Sequence, residues 1–156
     1  MKILIIEDDD LKMAKVFNYL KEKYCCFTID VMRSWKSGLR ALVFGSYDIT
    51  ILDMSLPTFD INRKESGGAF NSFGGEEILK EIKRRSIGTK VIVFTQFEYF
   101  GDDARSISLK ELSTRLELSF PEIYLSTVFF SAADNEWEKQ ISQAIEFCCH
   151  GDDSND

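Results

Sequence analysis

Apolar residues along this chain form short, nearly unbroken runs, which alternate with segments whose apolar residues recur every three or four positions. Runs such as residues 3–6, and 49–52 with Thr50 as its single polar residue, are typical of strands buried on both faces of a sheet. Met13, Phe17 and Leu20 recur at the spacing of an amphipathic helix. The pattern predicts strands at 2–7, 25–31, 48–53, 90–95 and 122–126, and helices at 9–23, 34–44 (with Ser34 as N-cap), 76–85, 108–118 and 134–148.

Strands that alternate with helices indicate right-handed crossovers and a parallel sheet. We therefore expect an α/β fold, a doubly wound five-stranded parallel sheet with helices on both faces. The 156 residues suit a single domain, which we place at 1–150, followed by a disordered acidic tail at 151–156. The connections at 58–73 and 96–107 are longer than usual, and loops of this kind are commonly functional or disordered.

Polar side chains follow three of the predicted strands at their carboxyl ends. Glu7 and Asp8 follow the first strand, Asp53 ends the third, and Thr95 ends the fourth. In an open parallel sheet, these ends meet at the crevice where ligands bind. Converging carboxylates repel one another, so we expect a hard cation such as Mg²⁺ to join them. The alternative, that Asp8 and Asp9 only cap the following helix, does not explain Asp53.

Composition narrows the classes of partner. A net charge of −7 and a pI near 4.8 argue against broad binding to nucleic acid or anionic membranes. The short first apolar run is no signal peptide, and no stretch approaches the roughly 20 apolar residues of a membrane span, so we expect a cytoplasmic protein. The four cysteines (Cys25, Cys26, Cys148 and Cys149) are expected to be small buried hydrophobic residues. A metal site with His150 is a weaker alternative.

Several segments together resemble the receiver domains of bacterial response regulators, the CheY-like family. They are MKILIIEDD, YDITILDMSLP, VIVFT and the IYLST strand, in this order and with helices between them. The resemblance covers nearly the whole chain. It implies a flavodoxin-like sheet with strand order 2-1-3-4-5.

The resemblance also assigns roles to the polar residues. Asp53 is similar to the phosphoacceptor, a carboxylate that takes a phosphoryl group from a phosphohistidine. Asp8 resembles a direct Mg²⁺ ligand and Glu7 one that acts largely through water. The remaining assignments are the backbone carbonyl of Ser55 as the third protein ligand, Thr95 as the hydroxyl that binds the phosphoryl group, Tyr124 as the aromatic switch residue, and Pro57 as the proline after the phosphoacceptor strand.

The chain departs from this family at the end of the fifth strand. Receivers normally carry a lysine there, but Thr127 stands in its place, and no lysine or arginine occurs between Leu116 and Glu138. Gln96 replaces the small residue that usually follows the strand-end hydroxyl. Lys12 is the nearest alternative source of positive charge, although a solvated position on the first helix is the simpler expectation.

Two functions remain in view. The first is a stand-alone receiver that accepts a phosphoryl group from a histidine kinase or phosphotransfer protein and signals by protein–protein contact. It would not be an enzyme beyond Mg²⁺-dependent self-phosphorylation and self-dephosphorylation. The second is a pseudo-receiver that binds partners without phosphorylation, through Phe59, Phe70 and Phe73, unless these side chains fold back over the core. A phosphatase is disfavoured because Asp53-Met54-Ser55 lacks a second carboxylate.

Overall fold

The computed structural model describes residues 1–60 and 70–151, and strands alternate with helices through both ranges. Among these residues, no helix is both long enough and apolar enough to cross a membrane. In chain order the elements are β1 (Lys2–Ile6), α1 (Asp10–Lys23), β2 (Thr28–Met32), α2 (Trp35–Phe44), β3 (Ile49–Leu52), β4 (Leu56–Pro57), β5 (Phe70–Asn71), α3 (Gly74–Arg85), β6 (Lys90–Thr95), β7 (Tyr99–Phe100), β8 (Ile107–Ser108), α4 (Leu109–Ser119), β9 (Tyr124–Phe129) and α5 (Glu136–Gly151).

Five of these strands form one parallel sheet in the order β2-β1-β3-β6-β9. Counted along the chain, these long strands have the order 2-1-3-4-5, so the predicted doubly wound α/β fold is confirmed. The order reverses at β1, between β2 and β3, and this is where ligands bind in open sheets of this kind.

The two faces of the sheet carry separate apolar cores. Ile3, Ile5 and Phe94 pack with α1 and α5 on one face, whereas Leu4 and Val93 pack with α2, α3 and α4 on the other. Successive side chains of a strand point to opposite faces, so a strand covered on both sides is apolar at nearly every position. This explains the nearly unbroken apolar runs in the sequence.

Both long connections contain short antiparallel ribbons that the sequence did not predict. At the first connection, β4, which directly precedes it, pairs with β5, and residues 61–69 of the predicted 58–73 loop lie outside the described residues. In the second, Tyr99 pairs with Ser108 and Phe100 with Ile107. The last helix extends to Gly151, and residues 152–156 of the predicted tail lie outside the described residues.

Two strand predictions need correction. The second strand begins at Thr28, since Cys25 and Cys26 lie in an exposed turn whose Phe27 N–H donates to the Tyr24 carbonyl at 3.0 Å. The rings of Tyr24 and Phe27 stack at 4.6 Å and cover the core there. The prediction of buried cysteines is therefore wrong for this pair and for the exposed Cys149, while Cys148 packs half-buried against the core.

The fifth long strand is displaced toward the C-terminus and runs from Tyr124 to Phe129 instead of from 122 to 126. Its pairing with β6 shifts register between Val91 and Ile92, which pair with Tyr124 and Ser126. A register shift of this kind inserts an extra residue into one strand. Beyond this point, each residue of β6 therefore pairs with the β9 residue one position later than an even ladder would give.

Candidate functional site

The ends of β1 and β3 bring the predicted acidic residues together. The Glu7 N–H donates to the Met32 carbonyl at 3.0 Å, and the Asp53 N–H donates to the Ile6 carbonyl at 3.0 Å, so the sheet fixes both positions. Carboxylate oxygens of Glu7, Asp8 and Asp53 all lie within 4.8 Å of one another. The side chains of Glu7 and Asp53 are buried, and that of Asp8 is half-buried.

Lys12 lies inside this cluster, so the expectation of a solvated lysine is wrong. Its side chain is 0% exposed, and Nζ lies 2.6 Å from Glu7 Oε2 and 3.2 Å from Asp53 Oδ1. The ammonium also lies 5.4 Å from the centroid of the Phe94 ring. The alternative reading, that Lys12 brings positive charge to the crevice, fits these contacts.

The start of α1 explains why Lys12 points inward. Asp9 is the N-cap, and its Oδ1 accepts the Lys12 N–H at 2.8 Å, so the first helical turn begins directly after the acidic pair. Helical side chains lean toward the N-terminus, which here is the edge of the sheet where the strands end. Lys12, Val16 and Leu20 are the buried residues of α1, spaced four apart. That spacing was the signal in the sequence, and the stripe that began at Met13 missed it by one residue.

The carboxylates of this cluster hold protons more tightly than ordinary surface groups. Burial, together with repulsion from Asp53, raises the pKa of Glu7 to about 8, even though Lys12 lowers it. Burial raises the pKa of Asp53 as well, against the lowering effect of Lys12, and burial likewise raises the pKa of Asp8. Burial is the largest cause of all three shifts, so an added cation would favour the charged form of each of these carboxyl groups. Three carboxylates at this separation are a fitting donor set for a hard divalent cation.

Thr95 is completely buried at the end of β6, the strand that pairs with β3 in the sheet. Its Oγ1 accepts the Phe97 N–H at 3.2 Å, which leaves the hydroxyl proton available for another acceptor. Gln96 and Phe97 are exposed and line a shallow crevice together with Asp53, Ser55 and residues 8–11. The Ser55 hydroxyl donates to the Ser72 carbonyl at 3.4 Å. Gln96 therefore lies at the mouth of the crevice.

Thr127 does not occupy the strand-end position that the sequence assigned to it. It pairs with Val93, inside the ladder, because β9 continues to Phe129, and Phe129 is the residue that pairs with Thr95. The Thr127 hydroxyl lies 2.7 Å from the Tyr124 hydroxyl. Tyr124 pairs with Val91, four residues before Thr95, and packs half-buried against the core that contains α4.

Of the loop phenylalanines, one is exposed, as a partner contact would require, and one folds back over the core. Phe59 is 47% exposed, with the Lys36 ammonium 4.9 Å from its ring centroid. Phe73 folds back over the core against Phe100, at a centroid distance of 6.4 Å. The side chain of Phe70 lies outside the described residues.

Comparison with known proteins gives relatives along most of the chain, although no model of a protein family matches it. The uncharacterized protein y4jR of Sinorhizobium fredii is 33% identical over 145 residues, which cover 92% of this chain and 96% of that protein. The Detocs response regulatory protein DtcB of Enterobacter cloacae is 27% identical, and the match covers 93% of this chain and 98% of DtcB. The transcriptional regulatory protein CiaR of Streptococcus pneumoniae is 29% identical over 111 residues, which are 70% of this chain and 41% of CiaR.

Solved structures share the fold. The CheY-like receiver domain protein of Methanospirillum hungatei superposes with a TM-score of 0.63 at 15% identity, over 99% of this chain and 98% of its own. The receiver domain of Francisella response regulator 1452 gives 0.62 at 20% identity, over 96% and 98%. The response regulator TrrA of Thermotoga maritima, solved in complex with Mg²⁺ and BeF, gives 0.58 at 20%, over 92% and 97%. With its sheet order and its full-length relatives, this chain belongs to the response regulator receiver domain family.

Proposed function

We propose that this receiver domain accepts a phosphoryl group on Asp53 from a histidine kinase or phosphotransfer protein, and that it signals by protein–protein contact. One observation carries the proposal: the Asp53 carboxylate stands at the end of a rigid buried strand, with two further carboxylates and a buried ammonium around it. Phosphoryl transfer needs an in-line nucleophile and neutralisation of charge more than covalent assistance. The cluster supplies both.

The reaction proposed at Asp53 is a simple displacement. A carboxylate oxygen of Asp53 attacks the phosphorus of a phosphohistidine, so that a P–O bond forms, the P–N bond breaks, and the leaving imidazole takes up a proton. Thr95 would donate its free hydroxyl proton to a phosphoryl oxygen, since the contact with the Phe97 N–H uses the oxygen only as an acceptor. Tyr124 remains the proposed switch residue, next to α4.

Mg²⁺ is the proposed cofactor. Asp8, Asp53 and the Ser55 carbonyl would bind it, and Glu7 would act through water. When bound, Mg²⁺ neutralises charge on the carboxylates and on the phosphoryl oxygens. The raised pKa values of Glu7, Asp8 and Asp53 support this assignment, because each marks a carboxylate that an added cation would stabilise in its charged form.

The rim of the crevice supports a protein as the phosphodonor. Leu11 and Phe97, which are 56% and 40% exposed, line the crevice together with the acidic residues, and exposed aromatic side chains are favoured at interfaces. We place the output surface on α4, β9 and α5, as the family resemblance implies. In keeping with that role, we propose a cytoplasmic signalling domain and not an enzyme with a substrate of its own.

Phosphorylation by acetyl phosphate tests the proposal directly. With Mg²⁺, intact mass should rise by one phosphoryl group in the wild type and in Asp103→Asn, a matched control at an exposed position outside the crevice. Asp53→Asn should give no adduct, and removal of Mg²⁺ with a chelator should abolish the adduct in the wild type and in Asp103→Asn. A folded wild type that forms no adduct would overturn the proposal in favour of the pseudo-receiver, a reading that Gln96 at the mouth of the crevice supports.

A further inference from the structure

Complete burial of Lys12 requires an explanation beyond packing. A lysine ammonium removed from water is strongly destabilising unless opposite charges surround it. Here two buried carboxylates do so, at 2.6 and 3.2 Å, and one of them belongs to the proposed phosphoacceptor. An ammonium has three N–H donors, so two carboxylate contacts leave one for a further oxygen.

Other basic residues are less well placed to contact a group on Asp53. No lysine or arginine occurs between Leu116 and Glu138, so β9 brings none to the site. Arg33 is near, but its guanidinium donates to the Asp8 carbonyl at 2.9 Å, pairs with Asp10 at the surface, and is 39% exposed. Within residues 1–60 and 70–151, Lys12 is the basic residue that forms an ion pair with Asp53.

The backbone of Lys12 is also held in place. Its N–H is anchored to the N-cap Asp9 at 2.8 Å, and its ammonium lies over the ring of Phe94, on the strand that ends at Thr95. A side chain fixed at both ends loses little further conformational entropy when it binds a ligand. Lys12 is therefore preorganised at the position where the phosphoryl charge would develop.

We infer that Lys12 binds the phosphoryl group carried by Asp53, so that helix α1 supplies the cation that receivers normally take from the end of the fifth strand. The inference rests on the proposed phosphoacceptor role of Asp53. Before transfer, the ammonium pairs with Glu7 and with Asp53. After transfer, the phosphoryl group places more negative charge at Asp53, and Lys12 contributes a charge-assisted hydrogen bond to one of its oxygens. The chain thus keeps the phosphate-binding charge although β9 lacks the lysine.

The test compares Lys12→Met, which keeps the length of the side chain and removes the charge, with Lys15→Met on the same helix. Lys15 is half-buried, and its side chain lies outside the acidic crevice. Two quantities are measured in folded protein with Mg²⁺: the rate of Asp53 phosphorylation by acetyl phosphate, and the affinity for beryllofluoride, a phosphoryl mimic. We expect Lys12→Met to lower both by at least about tenfold, as for loss of one charge-assisted hydrogen bond. Lys15→Met should match the wild type, and Lys12→Arg should recover part of the beryllofluoride affinity.

A second pair of variants serves as a control in case Lys12→Met alone does not fold. Lys12→Met leaves two carboxylates buried without their partner, so Glu7→Gln/Lys12→Met is compared with Glu7→Gln alone, which reduces the unbalanced charge. The double variant should again show the tenfold losses relative to the single one. Phosphorylation and beryllofluoride binding at the reference level in a folded Lys12 variant would overturn the role of Lys12 and leave that of Asp53 intact. A wild type that takes up no phosphoryl group would overturn both.

Discussion

Gly75 shows at the scale of one residue how closely the site is built. It lies in the first turn of α3, and its N–H donates to the Met54 carbonyl at 2.9 Å. A Cβ at this position would lie 2.5 Å from the Asp53 carbonyl oxygen and 2.9 Å from Met54 Cα. Both are backbone atoms, which cannot rotate aside as a side chain would. The backbone that presents the proposed phosphoacceptor therefore requires a residue without a side chain in the helix beneath it.

Gly75→Ala is expected to destabilise the fold by about 1–3 kcal/mol, as overpacking against a rigid neighbour does. Alanine would otherwise favour the helix by up to about 1 kcal/mol, so destabilisation would report the clash and not helix propensity. The control is Gly88→Ala, because a Cβ on Gly88 meets nothing within 4 Å. Urea unfolding measures both variants, and equal midpoints for the two would contradict the predicted clash.

Strand β2 shows, at the scale of one element, how side-chain contacts stabilise an edge strand of the sheet. It stands at the end of the strand order and pairs with β1. Asp30 on β2 accepts a hydrogen bond from the Tyr47 hydroxyl at 2.7 Å and forms an ion pair with the Lys2 ammonium at 3.2 Å. The Tyr47 hydrogen bond is the main reason that the pKa of Asp30 is lowered, while burial, with the help of Asp30, raises the pKa of Tyr47 to about 12.

Tyr47→Phe should remove a stabilisation of about 1 kcal/mol at neutral pH. Because the folded state lowers the pKa of Asp30, this stabilisation is present above the unfolded pKa of about 3.9 and is lost as the pH falls through the folded value. The wild type and Tyr47→Phe should therefore differ near pH 7 and converge in acid. Urea midpoints between pH 2 and 7 measure this, with Tyr99→Phe, 69% exposed, as control. A difference that persists unchanged into acid would show that packing, and not the Asp30 charge, stabilises the strand.

The two cores on either side of the sheet determine how the whole molecule should unfold. Trp35 packs against the core of α2, α3 and α4, and Trp137 lies within the core of α1 and α5. Every strand of the main sheet contributes side chains to one or both cores. Neither core can therefore persist without the sheet that it shares with the other, as expected of a single domain at 1–150.

Trp35→Phe and Trp137→Phe leave one tryptophan each and so report the two cores separately. Their thermal midpoints by fluorescence should coincide with the calorimetric midpoint of the same variant, in one transition with a heat-capacity change of about 2 kcal/mol/K. The reason is that both cores pack on the same sheet and lose this support together when its strands separate. Tryptophan midpoints that depart from calorimetry, or a second heat-absorption peak, would indicate two units that unfold separately.

Much of this architecture follows from the sequence because its causes are local. The apolar runs at 3–6, 49–52 and 91–94 specify strands buried on both faces, and Ser34 forms the predicted cap, with its Oγ accepting the Ser37 N–H at 3.1 Å. The polar residues that end these strands meet because parallel strands end at the same edge. The parallel α/β sheet and the acidic cluster could therefore be predicted from local patterns, whereas the strand order and the phosphoacceptor role of Asp53 were implied by the resemblance to receiver domains.

Tertiary structure alone decided three other points. Lys12 could be assigned to the site only once the phase of α1 was known, since a shift of one residue turns a helical side chain by about 100°. Thr127 lies inside β9, and not at its end, because the pairing of β9 with β6 continues as far as Phe129. Cys25 and Cys26 lie exposed because Tyr24 and Phe27 cover the core instead. The sequence by itself determined which residues are apolar and in what order the elements come, while contacts between distant segments determined which charge lies beside Asp53.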